Sequence, residues 1–356
     1  MDATQNLQKE EIDLRGPHTS FRYPAFAQFP KNIENSELES TLKTLVLPQH
    51  PDWVKIFPRL SASVIYWLKQ IQSQISTSPQ DSTQKMKVLC FSPLDLELKS
   101  ALFSAGVQVQ FLPQDPHEWD NEELFKDIHA AILSNPNQAN GFFYPESFFK
   151  KLIEALLNSQ CLGVLCDESL QLFSFSTLAP ASVKRSLSPD KKISVCASLY
   201  PAFSPLGPRT SWLINTSTFK DAGHDIPLEV EDLQMAIRAL MTFNSKQGAT
   251  VMEFQRRLLA LKQGLRRLTD LLQVSRHKGL LEIPHWPEAG VYLSLQISDQ
   301  NGQSASQFCK RLFDDTGLLL EGIETESGKL ELRLCFAAHE RILVEAAKRL
   351  NGFLAK

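Results

Sequence analysis

Residues 134–175 read SNPNQANGFFYPESFFKKLIEALLNSQCLGVLCDESLQLFSF. Within them, the segment PESFFKKLIEALLNS carries apolar residues every three or four positions, and the short apolar run LGVLCDE follows it. A similar run, AAILSNP, leads into the stretch. Continuous apolar runs are typical of parallel strands that helices cover on both faces, because both faces of such a strand are buried. The stretch therefore predicts a strand, a helix and a second strand parallel to the first.

The same alternation extends towards the amino terminus. The apolar runs WVKIF (53–57), KVLCFSP (87–93) and VQVQFLP (107–113) are separated by amphipathic segments, and EELFKDI (122–128) is predicted to be one more helix. From about residue 228 the pattern becomes long and helical, and smaller strands and helices follow to the end. We predict an α/β fold with a mostly parallel sheet, whose ligand site lies at the carboxyl ends of the strands.

Changes of pattern divide the chain into four parts. Residues 1–50 are polar, include the aromatic segment FRYPAFAQF (21–29), and are predicted to be an extended arm that docks on a neighbour. Residues 51–240 form the large domain and 241–272 a long connecting helix. Residues 273–356 are predicted to be a small α+β domain.

Composition excludes several classes of function. The net charge is −3, with 43% hydrophobic and 22% charged residues, so nucleic acid is not an expected partner. Basic residues in the long helical region are interpreted as a solvated helix face because acidic residues balance them. The polar start and the absence of eighteen consecutive apolar residues predict a cytoplasmic protein without a membrane partner. The six scattered cysteines indicate buried reduced thiols and no metal site.

Four stretches resemble the class I/II aminotransferases, the pyridoxal-phosphate family of fold type I. Residues 134–175 resemble the family's NPNNPTG, helix, strand and DExYxxF segment, and SVCASLYPAFSPLGPRTSWLI (194–214) resembles its SFSKxFGLPGLRxGWL motif. EAGVYLSL (288–295) resembles the start of the small domain. LELRLCFA (330–337) resembles the segment of the substrate-carboxylate arginine, here Arg333. The resemblance implies a large domain of the seven-stranded type.

The resemblance also implies a set of cofactor contacts. Asp167 falls on the carboxylate that pairs with the pyridine nitrogen and keeps the ring protonated. Amides at a helix start, together with a serine and an arginine, bind the cofactor phosphate. The positions implied for the phosphate are Ser61, Ala62, Ser63, Ser198 and Arg209.

Other cofactor positions depart from the family pattern. Pro201 falls on the lysine that forms the Schiff base, and proline has neither an amine nor a titratable proton. Gln138 replaces the asparagine that bonds the ring hydroxyl, Leu170 the tyrosine after the acidic pair, and Leu94 the aromatic residue that stacks on the ring. These losses together predict a pseudoenzyme without a covalently bound cofactor.

Four other residues are considered as substitutes for the missing lysine, and a lysine from elsewhere could reach the cofactor ring only along a different backbone path. Lys184, Lys191 and Lys192 lie in the polar segment SVKRSLSPDKK, which is interpreted as a solvated loop away from the ring. Tyr200 lies beside Pro201 and is a candidate proton donor, although a packed aromatic residue at a strand end is the favoured interpretation.

Each retained polar residue also has a structural explanation. Asp167 at a strand end is consistent with a cap for the following turn. Arg209 is also consistent with bonding of turn carbonyls, and Arg333 with pairing to a core carboxylate.

Two functions follow from this pattern. The first is a non-catalytic scaffold or regulatory subunit, in a homodimer or in a heterodimer with a related active chain, as in the non-catalytic subunit of serine palmitoyltransferase. The second is non-covalent binding of pyridoxal or pyridoxamine phosphate, or of another phosphorylated ligand, by an atypical transferase or sensor. Related sugar dehydratases hold the amine form with a histidine, which Pro201 does not reproduce. Ordinary transamination is possible only if the alignment of this sequence with the family motif is wrong by several residues. An open, polar site favours a ligand, whereas a filled site favours a scaffold.

Overall fold

The computed structural model describes residues 11–16, 35–75, 85–113, 115–175, 181–184, 187–199, 209–216, 228–244, 248–298, 302–324 and 330–356. Three sequence predictions fall outside these residues: the Pro201 substitution, the role of Tyr200 and the aromatic segment 21–29.

The described residues form thirteen strands and nine α-helices. The strands are β1 (Ile12–Asp13), β2 (Val54–Phe57), β3 (Lys87–Cys90), β4 (Gln108–Phe111), β5 (Ala130–Ser134), β6 (Gly163–Asp167), β7 (Ile193–Ser198), β8 (Ser211–Asn215), β9 (Leu281–Glu282), β10 (Tyr292–Ile297), β11 (Leu318–Leu319), β12 (Glu321–Glu324) and β13 (Leu330–Cys335). The helices are α1 (Asn35–Val46), α2 (Leu60–Ile75), α3 (Leu96–Ser104), α4 (Glu146–Asn158), α5 (Val230–Asn244), α6 (Gly248–Leu271), α7 (Gln273–His277), α8 (Ala305–Thr316) and α9 (Glu340–Leu354).

The chain divides into two compact units. One contains the described residues between 23 and 258 together with 288–290, and the other contains those of 1–22, 259–287 and 291–356. Within the segment predicted as an arm, α1 is a helix that packs against α5, and β1 pairs with β11. The four-part division of the sequence stays a prediction.

The first unit is built on a seven-stranded sheet in the order β2-β8-β7-β6-β5-β3-β4. Strands β3 to β7 pair in parallel, whereas β8 is antiparallel to both β7 and β2. Every residue of β5, β6 and β7 is buried, as expected for strands covered on both faces. The predicted α/β fold with a mostly parallel sheet is confirmed.

Parallel pairing brings the last residues of the central strands to one edge of the sheet. Ser134 ends β5 and is the register partner of Asp167, which ends β6. Ser198 ends β7 and is paired with Ser211 at the start of β8. The polar residues of the predicted site therefore follow buried apolar strands and lie at their carboxyl ends, where α/β sheets bind ligands.

Helix α2 is held tightly against this sheet. Trp67 is completely buried, and its indole N–H donates to the Ser194 hydroxyl at 3.2 Å. A Cβ atom at Gly163 would lie only 2.8 Å from Cδ1 of Ile71. Glycine at position 163 thus lets the side chains of α2 pack closely on β6.

The second unit contains a smaller antiparallel sheet in the order β12-β13-β10-β9, and β1 and β11 form a separate parallel pair. Helix α8 begins with a capping box, in which Ser304 and Gln307 bond each other's backbone amides. It ends at Gly317, whose φ of 70° is the left-handed conformation that glycine adopts readily. The predicted smaller α+β region is confirmed as an additional sheet with helices.

One predicted helix is wrong in type. EELFKDI forms only a 3₁₀ turn, Glu122–Phe125, which Asn121 caps with a 3.1 Å bond to the Glu123 amide. Asp127 has a φ of 60°, and a left-handed residue interrupts a right-handed helix. Seven residues are too few to sustain an α-helix without strong tertiary packing.

The six cysteines are free thiols, and five of them are buried while Cys309 is half-buried. Burial raises the pKa of the Cys90 thiol to about 12, so this sulfur stays protonated and unreactive at neutral pH. Within the described ranges, no three His, Cys, Asp or Glu side chains come together as a metal site. None of the helices given above has both the length and the apolar character needed to cross a bilayer.

Candidate functional site

Asp167 is the centre of a hydrogen-bonded group at the carboxyl edge of the large sheet. Its side chain is only 3% exposed. Oδ1 accepts from the Ser169 amide at 3.0 Å and from the Ser169 hydroxyl at 2.6 Å. Oδ2 accepts from the Ser134 hydroxyl at 3.0 Å and from the Gln138 side-chain amide at 2.8 Å. A carboxylate offers about four lone-pair positions, so these four donors use its capacity.

The charge of Asp167 is balanced by neutral donors alone among the described residues. Burial raises the pKa of the Asp167 carboxyl above its ordinary value. The bonds from Ser169, Gln138 and Ser134 lower it again in part. The carboxylate therefore depends on all of these donors for its stability in a buried position.

The loop after β5 fixes Gln138 in place. The Asn137 carboxamide oxygen accepts from the Ala139 amide at 2.8 Å, and its Nδ2 donates to the Pro93 carbonyl at 3.1 Å. The Gly141 amide closes the loop on the Asn137 carbonyl at 2.8 Å. Gln138 itself is 4% exposed. Its bond to Asp167 thus belongs to an ordered, buried loop.

Ser169 connects Asp167 to the next strand. Its hydroxyl oxygen accepts from the Ser198 backbone amide at 2.8 Å while it donates to Asp167. The Ser198 hydroxyl lies within 3.4 Å of the Arg209 carbonyl and 3.5 Å of the Thr210 carbonyl. We call Ser134, Gln138, Asp167, Ser169 and Ser198 the Asp167 cluster.

Three of the five predicted phosphate-binding residues, Ser61, Ala62 and Ser63, lie at the start of α2, where a carboxylate of the chain accepts a backbone amide. The Ser61 amide donates to Oε2 of Glu97, which lies in the first turn of α3, at 3.3 Å. The Ser63 hydroxyl donates to the Leu60 carbonyl at 2.8 Å. Ala62 is half-buried and has no polar side-chain atom. The carboxylate thus takes an amide that the resemblance implies for phosphate.

Opposing effects act on the pKa of the Glu97 carboxyl. Burial, followed by the negative charge of Asp95, raises the pKa of the Glu97 carboxyl. The Ser61 amide and the positive charges of Arg209 and Arg59 lower that pKa in part. Arg209 is exposed, and its positive charge is among those that lower the pKa of Glu97. The structure thus links Gln138, Asp167 and Ser198 through the Asp167 cluster and Ser61 to Glu97, all within the first unit.

Apolar side chains occupy two positions that the resemblance assigns to cofactor residues. Leu170 is 2% exposed and packs so closely on Gly290 that a Cβ atom there would lie 2.8 Å from Cδ1 of Leu170. Leu94 is half-buried against the hydrophobic core. Neither side chain can donate a hydrogen bond to a cofactor.

The alternative lysines are engaged elsewhere or exposed. The Lys184 ammonium donates to the Val46 carbonyl, and burial lowers its pKa, an effect that the nearby Glu168 opposes. Lys184 is half-buried, in contrast to the predicted solvated loop. Lys191 and Lys192 are exposed, as that prediction expects.

Arg333 lies on β13 of the second unit and has an internal acidic partner. Its Nη2 and Nε atoms lie 2.5 Å and 2.7 Å from Oε2 of Glu321, and its side chain is 4% exposed. Its guanidinium also lies 4.1 Å from the centre of the Tyr292 ring. The structure therefore contains the ion pair between Arg333 and a carboxylate that the sequence left open as an alternative.

A separate cavity of about 770 Å³ lies in the first unit between α4 and residues 116–127. Trp119, Phe125 and Phe148 contribute its aromatic walls. None of the predicted site residues lines it.

Comparison with known proteins relates this geometry to a fold. No family model and no curated protein matches the chain. An aspartate aminotransferase structure from Thermotoga maritima is 16% identical with a TM-score of 0.71, covering 98% of this chain and 92% of that chain. An aminotransferase from Mycobacterium tuberculosis is 17% identical with a TM-score of 0.71, covering 99% and 93%. This chain has the aminotransferase fold.

A third aminotransferase-fold structure, a pyridoxal-phosphate-dependent aminotransferase from Streptococcus suis, is 18% identical with a TM-score of 0.67, covering 91% of this chain and 84% of that chain. Such identities establish the shared fold, while activity has to be argued from the site. The sequence did not predict the residues that bond to the site residues from within the chain: Ser134 and Ser169 to Asp167, Glu97 to Ser61, and Glu321 to Arg333. Only the placement of Ser134 and Ser169 next to strand ends gave a signal for them.

Proposed function

We propose that this chain is a non-catalytic protein of the aminotransferase fold, which acts as a scaffold or regulatory subunit. The observation that carries the proposal is the saturation of Asp167 by four donors from the chain itself. A pyridine nitrogen needs a free acceptor on this carboxylate. It can gain one only if Gln138 or Ser134 gives up its buried hydrogen bond, which is costly.

The sequence supports the same proposal. A proline at position 201 provides no amine for a Schiff base. Lys184, the half-buried lysine nearest to the motif, is bonded to the Val46 carbonyl. We therefore propose that no cofactor is covalently bound.

The residues as arranged do not fit pyridoxal phosphate. The acceptor for its ring nitrogen is in use at Asp167, and an amide for its phosphate is in use at Ser61. Non-covalent binding of pyridoxal or pyridoxamine phosphate is the alternative, and it requires both internal contacts to open.

We further propose that the chain functions in the cytoplasm as a homodimer or as a heterodimer with a related active subunit. The support is the resemblance, since fold type I enzymes build their sites across a two-fold interface. The aromatic segment FRYPAFAQF is the candidate docking element.

Cofactor titration tests the non-catalytic assignment. Pyridoxal and pyridoxamine phosphate are added separately to the purified chain while absorbance and melting temperature are recorded. A ligand at about 100 times its Kd stabilises the native state by about 2.7 kcal/mol, which is readily measured. We expect no shift with either compound and no modified lysine after borohydride reduction and mass spectrometry. A reduced lysine adduct overturns the proposal, and a shift without an adduct favours the non-covalent alternative.

Light scattering and affinity capture test the subunit assignment. We expect a dimer, or a related aminotransferase-fold chain recovered with the tagged protein. A monomer at every concentration that recovers no related chain contradicts this part of the proposal.

A further inference from the structure

The amino end of α2 has an anion from the chain itself. We propose that Glu97 acts as an internal substitute for the cofactor phosphate and keeps phosphate-bearing ligands away from the start of this helix. The inference rests on the proposed function and deepens it, because it names a contact that separates this chain from a cofactor-binding protein of the same fold.

The hydrogen bond has the geometry of an anion at a helix terminus. Ser61 is the second residue of α2, so its amide belongs to the first four, which have no acceptor within the helix. Oε2 of Glu97 accepts from it at 3.3 Å. The positive end of the helix dipole favours a negative group at this place. A phosphate and the Glu97 carboxylate therefore compete for the same donor.

Charged side chains of both signs act on Glu97 within the chain itself. Arg59 and Arg209 act on it as positive groups, and Asp95 acts as a negative one. Arg209 also acts on Asp232, which is flanked by Glu229 and Glu231. A phosphate group, with a charge of about −1.5 to −2, would be added to a region in which acidic residues already engage the arginines.

The nearby serine hydroxyls are engaged as well. Ser63 donates to the Leu60 carbonyl within its own helix at 2.8 Å. The Ser198 hydroxyl lies at hydrogen-bond distance from the carbonyls of Arg209 and Thr210. A hydroxyl has a single proton to donate, so a phosphate at this position has to displace these contacts too.

Glu97 is not needed to hold the two helices together. The Gln72 side chain of α2 donates to the Ala105 carbonyl after α3 at 3.0 Å. Apolar residues of α2 and α3, including Leu68 and Leu102, belong to one buried cluster. Loss of the Glu97 carboxylate should therefore leave α2 and α3 in place.

The experiment compares phosphate binding by wild type, Glu97→Ala and Glu97→Leu, neither of which keeps an acceptor for the Ser61 amide. Glu154→Ala, at an exposed acidic residue on α4, is the matched control. Inorganic phosphate and pyridoxamine phosphate are titrated separately, with isothermal calorimetry and melting temperature as readouts. We expect no measurable phosphate binding by wild type or the control, and binding by the Glu97 variants at least about tenfold tighter than the weakest dissociation constant that the titration can detect.

Two results overturn the inference. Wild type that binds phosphate as tightly as the Glu97 variants shows that Glu97 excludes nothing. Glu97 variants that remain folded and do not bind phosphate show that the start of α2 is not an anion position. Glu97→Leu keeps most of the side-chain size and has no acceptor, so it provides the test if the alanine variant unfolds. The proposed function is overturned by a different result, a reduced lysine adduct in wild type. The phosphate titrations therefore test the role of Glu97 separately.

Discussion

The side-chain amide of Gln138 donates a 2.8 Å hydrogen bond to Oδ2 of Asp167. Gln138 lies in the loop after β5, whereas Asp167 ends the neighbouring strand β6. Because Ser134 and Ser169 supply the other three donors, this amide completes the coordination of the carboxylate. A glutamine side chain therefore uses the acceptor that the resemblance implies for a pyridine nitrogen.

Replacing Gln138 by alanine should destabilise the protein by about 1–3 kcal/mol, because a buried charged group loses a hydrogen-bond donor. Urea denaturation measures the change. Gln160→Ala, at an exposed position, is the control and should change the free energy of unfolding by less than about 0.5 kcal/mol. Equal stability of the two variants would contradict the role given to Gln138.

Two serine substitutions at the same edge should have different effects. Ser211 is completely buried, and its hydroxyl has no hydrogen-bond partner among the described residues. Ser211→Ala should leave stability unchanged or raise it, since an unsatisfied buried hydroxyl is removed. Ser134→Ala removes a donor to Asp167 and should cost about 1–3 kcal/mol. Thermal denaturation that ranks the variants in the opposite order refutes this reading.

The stability of the fold should depend on the ionisation of Glu168. Burial raises the pKa of its carboxyl from 4.5 to about 7, although bonds from Val183 and Ser182 act against this. The folded state then binds a proton more tightly than the unfolded state, so the stabilisation is complete below pH 4.5 and is lost as pH rises through about 7.

Glu168→Gln should remove this decline, which we expect to be about 3 kcal/mol. Urea denaturation at several pH values between 4.5 and 7 measures it. Glu118→Gln, at an exposed position, should keep the wild-type slope. An unchanged slope in Glu168→Gln assigns the decline to another group.

The buried ion pair of the second unit should show non-additive substitutions. Arg333→Met leaves the Glu321 carboxylate without its partner and should cost about 3–5 kcal/mol. The double variant Arg333→Met with Glu321→Leu should recover most of that loss, because apolar replacements of both partners avoid a buried charge. Lys310→Met, which breaks the exposed pair with Asp314, should cost no more than about 1 kcal/mol. Additive losses in the double variant would count against a coupled pair.

The central strands could be predicted from the sequence because their signal is local. AAILSNP and LGVLCDE are continuous apolar runs, and they form β5 and β6 with every strand residue buried. Register then brings Ser134 and Asp167 together without further information. Strands β2 to β6 could thus be predicted from patterns within a few residues of each strand, whereas the seven-stranded sheet was implied by the family resemblance.

The internal partners could not be predicted, because they depend on side chains from separate elements. Glu97 reaches Ser61 only after α3 packs beside α2, and Glu321 reaches Arg333 only through the pairing of β12 with β13. Helix α1 and strand β1 also escaped the sequence reading, since their segment is polar and β1 has only two residues. Those elements form through tertiary contacts with α5 and β11.

The pairing of β1 with β11 joins two segments that are synthesised far apart in time. Ile12 donates to the Gly317 carbonyl at 2.9 Å, and the Leu14 carbonyl accepts from the Cys335 amide at 2.8 Å. These partners are synthesised about 300 residues after β1, so β1 has to wait for them before it can pair. The large sheet meets no such delay, because its strands all lie between residues 54 and 215. The strands of the large sheet can therefore pair before residues 318–335 are synthesised, whereas β1 can pair only after them.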